Sequence, residues 1–448
     1  MLKTVIIGAG SGFGARLSLD IMSREALMDS EICLCDIHEG RLNQVASYIQ
    51  NTIDHYKLPT KLRFDTDRTK LLEGANFVIT SISAGGGAYY GNPYNNEMAI
   101  PAKYGIEQSV GDTISVGAVF RFLRTAPVHL QILKDVEKYA PDAIHLNHTN
   151  PMSTLTIMHN TMTKLKTVGL CHGIIDTNSI FSNFLGVEKN DTQYKVSGIN
   201  HLAWFLNWSI NGEDMYKKLD AALADTDNPK TQEFMKRESV RLEIYKQFGY
   251  VPTESNHHDS EYMPYFRRND ETMAEFYLTK KQLRNELGNA REWMNDGAGE
   301  VIHGQITRSH EYTTGIMEGV VTDIPFRFNG NVMNTGLVPN LPSWCSVEVP
   351  CFADVHGINA AYCGDLPTQL ASLNRSAINE QQLAVEAFIN KDKETAFRAC
   401  AVDPCAASIL TLARIREMFD EMWAANESHL LWYDKTHVGA VPEVCAQN

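Results

Sequence analysis

The sequence predicts an α/β protein in which a doubly wound parallel sheet, residues 1–196, precedes a mixed α+β domain, residues 197–448. In the first third of the chain, strand-like apolar runs alternate with amphipathic helical stretches, a pattern typical of parallel sheets with right-handed crossovers. After about residue 197 the strand-like runs change character, and helix-spaced residues dominate 272–297 and 366–425. The length of 448 residues is sufficient for two domains that share a cleft.

The predicted elements of the parallel sheet follow one another closely. TVIIGAG gives a strand, ARLSLDIMSRE a helix and EICLCDI a second strand; a helix then runs from Arg41 to Tyr56, and ANFVITSIS is a strand at 75–83. AIHLNHTNP and TVGLCHG are further strand-like runs that end in polar residues. Ligands of such Rossmann-like sheets bind beyond the carboxyl ends of the strands, so these polar ends mark the expected site. GINHLAWFLNWSI, DIPFRFNG and CSVEVPCF predict strands of a different, antiparallel or mixed sheet.

Composition excludes several kinds of partner. The net charge of -14 leaves no basic surplus for phosphates, so we expect neither nucleic acid nor an anionic membrane as a partner. The start of the chain lacks the apolar region of a secretion signal, and no apolar run approaches the roughly 20 residues of a membrane span. Nine cysteines, scattered from Cys33 to Cys445, form no disulfide framework. We therefore expect a cytoplasmic protein.

The first candidate site is GAGSGFG at residues 8–14. It lies between a strand and a helix, where glycines let the backbone approach a pyrophosphate, although Phe13 occupies the position of the third glycine. Asp36 ends the second strand, where a carboxylate accepts hydrogen bonds from a ribose and disfavours NADP. The pattern predicts NAD; the alternatives are FAD, or a tight turn in another doubly wound fold. The residues assigned to the cofactor are Gly8, Gly10, Ser11, Gly12 and Asp36.

The second candidate site combines Cys171 and His172, at the end of one strand, with His201 on another. A thiolate with one or two imidazoles suits a divalent transition metal whose shell is completed by water or substrate. Each residue taken alone also fits a buried cysteine or a core histidine. A third cluster, ESNHHDSEYMPYFRR at 254–268, is dense in His, Asp, Glu and Tyr, although its tyrosines also suit packing.

Nine motifs, taken together and in order, resemble family 4 of the glycoside hydrolases. They are GAGS near the start, SVGDT at 109–113, FLRTAP at 122–127, NHTNPMS at 147–153, CHG at 171–173, GINH at 198–201, HHDSEYMPYF, NAREW at 289–293 and VEVPCFAD at 347–354. The resemblance implies a glycosidase that uses NAD and a divalent metal, usually manganese (Mn2+), in place of two carboxylates. It further implies oxidation at C3 of the sugar, deprotonation at C2, elimination, addition of water and return of the hydride.

The resemblance also implies roles for individual residues and a homodimer or homotetramer. The matched residues are the metal ligands Cys171 and His201, the C2 base Tyr262 with Asp259 as runner-up, the general acid His172, and the substrate contacts Asn150 and Arg291.

The substrate implied by the resemblance is an unphosphorylated sugar, because His follows the metal cysteine, and NPM and GINH are similar to the α-galactosidase branch. DTISVGAVF departs from the GPGG of many members. An α-galacturonidase or α-glucuronidase is the alternative, with a carboxylate held by Arg124, Arg267, Arg268 or Arg291. The layout also resembles lactate and malate dehydrogenases, so a 2-hydroxyacid dehydrogenase stays open, as does an inactive sugar or NAD(H) sensor.

Overall fold

The computed structural model describes residues 1–286 and 291–434. Part of the NAREW motif, residues 289 and 290, and Cys445 lie outside this range. The strands of the described residues are β1 (Leu2–Ile7), β2 (Ser30–Cys35), β3 (Lys61–Asp65), β4 (Phe77–Thr80), β5 (Ile144–Asn147), β6 (Lys166–Gly169), β7 (Thr192–Ile199), β8 (Leu202–Ile210), β9 (Glu213–Asp214), β10 (Phe326–Met333), β11 (Ser346–Asp354) and β12 (Gly357–Ala360).

The α-helices within the same ranges are α1 (Gly12–Met22), α2 (Glu25–Met28), α3 (Glu39–Tyr56), α4 (Thr69–Leu72), α5 (Tyr94–Lys103), α6 (Val116–Tyr139), α7 (Met152–Met162), α8 (Gly173–Leu185), α9 (Met215–Ala224), α10 (Pro229–Arg237), α11 (Ser239–Phe248), α12 (Asn256–Tyr262), α13 (Asp270–Glu275), α14 (Thr313–Thr322), α15 (Thr368–Asn390), α16 (Lys393–Val402), α17 (Pro404–Ile409) and α18 (Leu412–Ala425).

The first six strands form a parallel sheet in the order β3-β2-β1-β4-β5-β6. Their inner members are fully buried, as expected when helices cover both faces of a parallel sheet. The predicted Rossmann-like α/β fold is therefore confirmed. Because the strands run in the same direction, the turns after β1, β2, β5 and β6 meet at one edge.

The later strands continue this sheet rather than forming a separate one, so that expectation was wrong. Asn331 of β10 pairs antiparallel with Gly169 of β6, and β11, β7, β8 and β9 follow, with β12 on β11. Gly169 has no side chain to obstruct the approach, and a Cβ there would lie only 3.1 Å from that of Asn331. The division of the chain at residue 196 stays a prediction.

Helical predictions had different outcomes at the two ends of the C-terminal part. Residues 366–425 contain four helices, α15 to α18, whose buried faces pack on α5, α6 and α7. Residues 272–297 contain only the end of α13 and one 3-10 turn among the described positions. Most described side chains of 274–286 are exposed, so packing gives a helix little support in this stretch.

The helices of the described residues differ from membrane-spanning helices. None of them combines the length and the apolar character that a bilayer span requires.

Candidate active site and metal centre

The glycine turn lies between β1 and α1. The backbone N–H groups of Gly8 and Ala9 donate to the Cys35 carbonyl at 2.9 and 3.0 Å, which fixes the turn against the end of β2. Gly8 has φ +89, and Gly14 packs against the Ala9 backbone too closely for a side chain. Ser11 caps α1 by accepting a hydrogen bond from the Gly14 N–H at 3.3 Å. A glycine turn at the N-terminus of a helix that follows a parallel strand is the usual place for the pyrophosphate of a dinucleotide.

Asp36 and Arg291 flank this turn. Asp36 Oδ2 accepts from the Gly10 N–H at 2.8 Å, and its carboxylate has further lone pairs for ribose hydroxyls. Arg291 does not join the predicted substrate residues; its Nη1 donates to the Gly10 carbonyl at 3.0 Å. Burial and the positive charge of Arg41 lower the pKa of Arg291. Two neighbouring guanidinium groups make this part of the turn attractive to a phosphate.

Cys171, His201 and Glu254 form a group of possible metal ligands at the end of β6. Cys171 Sγ lies 3.3 Å from His201 Nε2 and 3.7 Å from Glu254 Oε1, and His201 Nε2 lies 3.5 Å from the same carboxylate oxygen. Burial lowers the pKa of His201 to about 4, so the imidazole is neutral and can donate a lone pair. The predicted pair of Cys171 and His201 is thus brought together, and Glu254 is a third donor beside them.

His201 occupies the tight turn between β7 and β8, whereas the sequence had suggested a position on a strand. Its φ is +62, a left-handed conformation that is uncommon for a residue other than glycine. Thr113 Oγ1 lies 3.2 Å from Nδ1 and so fixes the ring with Nε2 toward Cys171. Glu254 arrives beside the turn because the preceding residues follow β8: the Thr253 N–H donates to the Ala203 carbonyl at 3.0 Å.

A second group of possible ligands, Asp112, His201 and His258, shares His201 with the first. His258 lies between two carboxylates, with Nε2 at 3.3 Å from Asp112 and Nδ1 at 3.4 Å from Glu254. Burial acts to lower the pKa of His258, but hydrogen bonds to both carboxylates raise it well above its ordinary value. Burial likewise opposes ionisation of Asp112 and Glu254, yet the histidines hold both pKa values below normal. The centre therefore contains a buried imidazolium between two carboxylates.

The two candidate bases lie on α12 in different surroundings. Tyr262 is buried, and its hydroxyl donates to the Asn200 carbonyl at 3.0 Å, next to His201. Burial raises the pKa of Tyr262 well above its ordinary value. Asp259 is fully buried, and burial raises its pKa well above normal, with Arg241 as its main charged neighbour. Tyr262 thus contacts the residue next to His201, whereas both carboxylate oxygens of Asp259 are buried without a hydrogen-bond partner.

His172 is half exposed at the rim of the site. Its Nδ1 lies 3.3 Å from Glu311 and its Nε2 lies 3.7 Å from Asp176. The hydrogen bond to Glu311 raises the pKa of His172 to about 9, so the imidazole is protonated at neutral pH. The rim therefore presents a proton donor surrounded by carboxylates.

Asn150 joins the centre through Asp112, to which its Nδ2 donates at 2.8 Å. DTISVGAVF, the segment that differs from many family members, begins at Asp112. There Ser115 has φ +97, a region that favours glycine, and its N–H donates to Glu380 at 3.1 Å. The serine thus takes a conformation that glycine would adopt without strain.

The four arginines considered for a sugar carboxylate are engaged elsewhere or exposed. Arg124 forms a buried pair with Glu97, and Arg267 donates to Ser260 Oγ at 2.7 Å and to the Glu107 carbonyl at 3.1 Å. Arg268 is exposed, and Arg291 lies at the glycine turn.

Sequence reasoning missed Glu254, Asp112, His258 and Glu311 as individual residues. Two of them belong to the titratable cluster at 254–268, and Asp112 belongs to SVGDT, so the segments were identified but their ligating members were not. Their contacts with His201 (Glu254), His172 (Glu311) and each other (Asp112 with His258) join residues 53, 139 and 146 positions apart, which no local pattern reveals.

Comparison with protein families gives two matches. A model described as family 4 glycosyl hydrolase matches residues 3–187, and one described as the family 4 glycosyl hydrolase C-terminal domain matches residues 196–406. Together they span most of the chain.

Individual relatives and structures agree with this match. The chain is 37% identical to an alpha-galactosidase of Bacillus subtilis, with 97% of this chain and 100% of the relative covered. It is 34% identical to an alpha-galactosidase of Rhizobium meliloti, covering 96% and 89%. Its fold is similar to that of a 6-phospho-alpha-glucosidase from gut microorganisms, solved in complex with NAD and Mn2+, with a TM-score of 0.78, 18% identity and coverage of 96% and 98%.

Proposed function

Because the chain belongs to family 4 of the glycosyl hydrolases, we propose that this glycosidase cleaves unphosphorylated α-galactosides with NAD and a divalent metal, manganese by preference. The observation that carries the proposal is the group of Cys171, His201 and Glu254 at the same sheet edge as the glycine turn. A dinucleotide and a metal bound at these two places would approach one sugar from two sides.

The donor sets fit both groups. Gly10, Ser11 and Gly12 form the turn at the N-terminus of α1, where a pyrophosphate would bind, and Asp36 contacts this turn, where it is placed for a ribose. We also assign Arg291 to the dinucleotide, since it contacts Gly10. A thiol, an imidazole and a carboxylate suit a transition metal, and three protein ligands leave positions for sugar oxygens. The chemistry supplied by the bound groups is reversible hydride transfer at NAD and Lewis-acid polarisation of sugar oxygens at the metal.

Residues of the centre have distinct tasks in this proposal. Asn150, fixed by Asp112, orients sugar hydroxyls. Tyr262 takes the proton from C2 of the sugar; its raised pKa requires a nearby cation, which the adjacent ligand group would hold. Asp259 is the less suitable base because its buried carboxylate has no hydrogen-bond partner, whereas Tyr262 contacts the residue beside His201. His172, protonated at neutral pH, delivers a proton to the leaving oxygen.

The charge of the rim supports an uncharged sugar. Glu311, Asp176 and Glu254 surround His172, and their carboxylates would repel a sugar phosphate or a uronate. The four arginines that could hold a uronate have other surroundings: Arg124 pairs with Glu97, Arg267 contacts Ser260, Arg268 is exposed and Arg291 lies at the glycine turn. The 37% identity to an alpha-galactosidase favours galactose among neutral sugars.

The test is turnover of nitrophenyl α-galactoside, β-galactoside, α-glucoside and α-galacturonide, with NAD and Mn2+ under reducing conditions. We expect release of nitrophenol from the α-galactoside without accumulation of NADH, and loss of turnover on chelation of the metal. Preference for the α-galacturonide would contradict the neutral-sugar proposal. Stoichiometric NADH from a 2-hydroxy acid, with no cleavage of any glycoside, would identify a dehydrogenase instead. Assembly into a homodimer or homotetramer stays a prediction.

A further inference from the structure

Helix α12 holds the turn at residues 109–113 through a row of side-chain contacts. His257 Nδ1 lies 2.7 Å from Ser109 Oγ, and His258 Nε2 lies 3.3 Å from Asp112. The largest set of contacts belongs to Glu261, one helical turn after His257. Residues four positions apart lie on the same helix face, so His257 and Glu261 meet the turn together.

The Glu261 carboxylate accepts several hydrogen bonds from the backbone of the turn. Its Oε1 accepts from the backbone N–H groups of Ser109, Val110 and Gly111 at 2.6, 3.0 and 3.0 Å. Three successive N–H groups directed at one anion form a nest, which the protein fills here with its own side chain. Glu261 is 2% exposed, so these charge-assisted bonds are shielded from water.

The turn delivers the next two residues to the metal-ligand groups. Asp112 contacts His258, and Thr113 Oγ1 contacts His201 Nδ1 at 3.2 Å. Both rings belong to the possible ligand sets, and Thr113 sets the orientation of the His201 ring. A displacement of residues 109–111 would therefore change two ring positions at once.

We propose that Glu261 is a positioning residue: by binding three N–H groups of the 109–111 turn, it sets Asp112 and Thr113 against His258 and His201. The inference rests on the proposed metal-dependent function and names a side chain outside the ligand groups as a determinant of metal affinity. Burial raises the pKa of Glu261, and the positive charge of Arg267 acts in the opposite direction.

The test compares Glu261→Gln with the wild type and with Glu238→Gln. The glutamine keeps the size of the side chain but removes the charge and presents an NH2 group to three donors. Glu238 is a matched control, because it is also buried, directly before α11, and is paired with Arg241 outside the 109–113 turn. Titration with Mn2+, followed by the electron paramagnetic resonance of free Mn2+, measures affinity without turnover.

We expect Glu261→Gln to weaken Mn2+ binding and to lower kcat about 10- to 100-fold, the range seen for outer-shell partners of metal ligands. NAD affinity should be unchanged, because the glycine turn is untouched. Mn2+ affinity unchanged in Glu261→Gln would overturn the inference, as would an equal loss in Glu238→Gln, which would indicate a general packing defect.

Where Glu261→Gln fails to fold, Glu261→Asp provides the second variant. It keeps the charge and withdraws it by one methylene, and an intermediate loss of Mn2+ affinity is expected; an unchanged affinity would contradict the inference. A wild-type protein that binds Mn2+ but cleaves no glycoside would refute the proposed function while leaving this inference testable.

Discussion

The glycine turn and the metal-ligand group lie at the same sheet edge but are built in opposite ways. The turn consists of seven consecutive residues and one aspartate, and its own backbone N–H and C=O groups take part in each hydrogen bond described for it. The metal-ligand group draws Cys171, His201 and Glu254 from three separate segments and depends on side chains. A site of the first kind tolerates changes in surrounding side chains, whereas a site of the second kind is sensitive to each of its members.

The largest effect that would sharpen this contrast is expected for Cys171→Ser. We expect Mn2+ binding and turnover to fall by more than the roughly 100-fold seen for outer-shell partners, because a thiolate ligand itself is lost. NAD affinity, measured by calorimetry, should remain. Cys33→Ala, a change at a buried cysteine of β2, is the control. Full activity of Cys171→Ser would remove the metal assignment.

A smaller effect is expected for Glu254→Gln. The amide is a weaker ligand than a carboxylate, and its loss of charge also removes one partner of His258. Mn2+ affinity should fall about 10- to 100-fold, with NAD affinity unchanged. Equal Mn2+ affinities of variant and wild type would leave Cys171 and His201 as the protein ligands and exclude Glu254.

The opposite result, a loss of NAD affinity with Mn2+ affinity retained, is expected for Gly12→Ala. A methyl group there would meet the Trp293 ring at 3.4 Å or more, so the fold should tolerate it. The methyl group nevertheless stands where the backbone must approach a pyrophosphate, and NAD affinity should fall about tenfold. Mn2+ affinity should be retained. Gly297→Ala, at a glycine where an added methyl group would have no neighbour within 4 Å, should bind NAD like the wild type. A variant that lost affinity for both NAD and Mn2+ would contradict the independence of the two sites.

The smallest effect concerns acid stability of the parallel half. Burial lowers the pKa of His129 and of His145 to about 3, and pushes that of His159 well below normal, so all three are neutral when folded. Unfolding lets them bind protons below pH 6.5, so stability is present above that pH and is lost as the pH falls toward 3. At pH 5 each contributes at most about 2 kcal/mol of destabilisation.

Urea denaturation at pH 7.5 and pH 5 measures this effect. His129→Gln should reduce the difference between the two midpoints, whereas His356→Gln, at an exposed position, should leave it unchanged. An identical pH dependence in His129→Gln and the wild type would show that the buried histidines do not govern acid stability.

How much could be predicted from the sequence follows the same contrast. The glycine turn and Asp36 were located because local spacing encodes them. Cys171 and His201 were grouped as possible metal ligands from their residue types at strand ends, and the resemblance to a family then assigned them that role. Glu254 was missed because its position beside His201 depends on the path of the chain along β8. The continuous sheet was missed as well, since the pairing of Asn331 with Gly169 leaves no periodic signal in either strand.

That continuous sheet has a consequence for how a substrate enters. Strand pairing connects β6 to β10 and β11 to β7, so the parallel strands and the later strands belong to one sheet. Hinge closure of one half over the other would break this pairing. We therefore expect substrate access to depend on the loops at the sheet edge, and the overall dimensions of the chain to stay constant when a substrate binds.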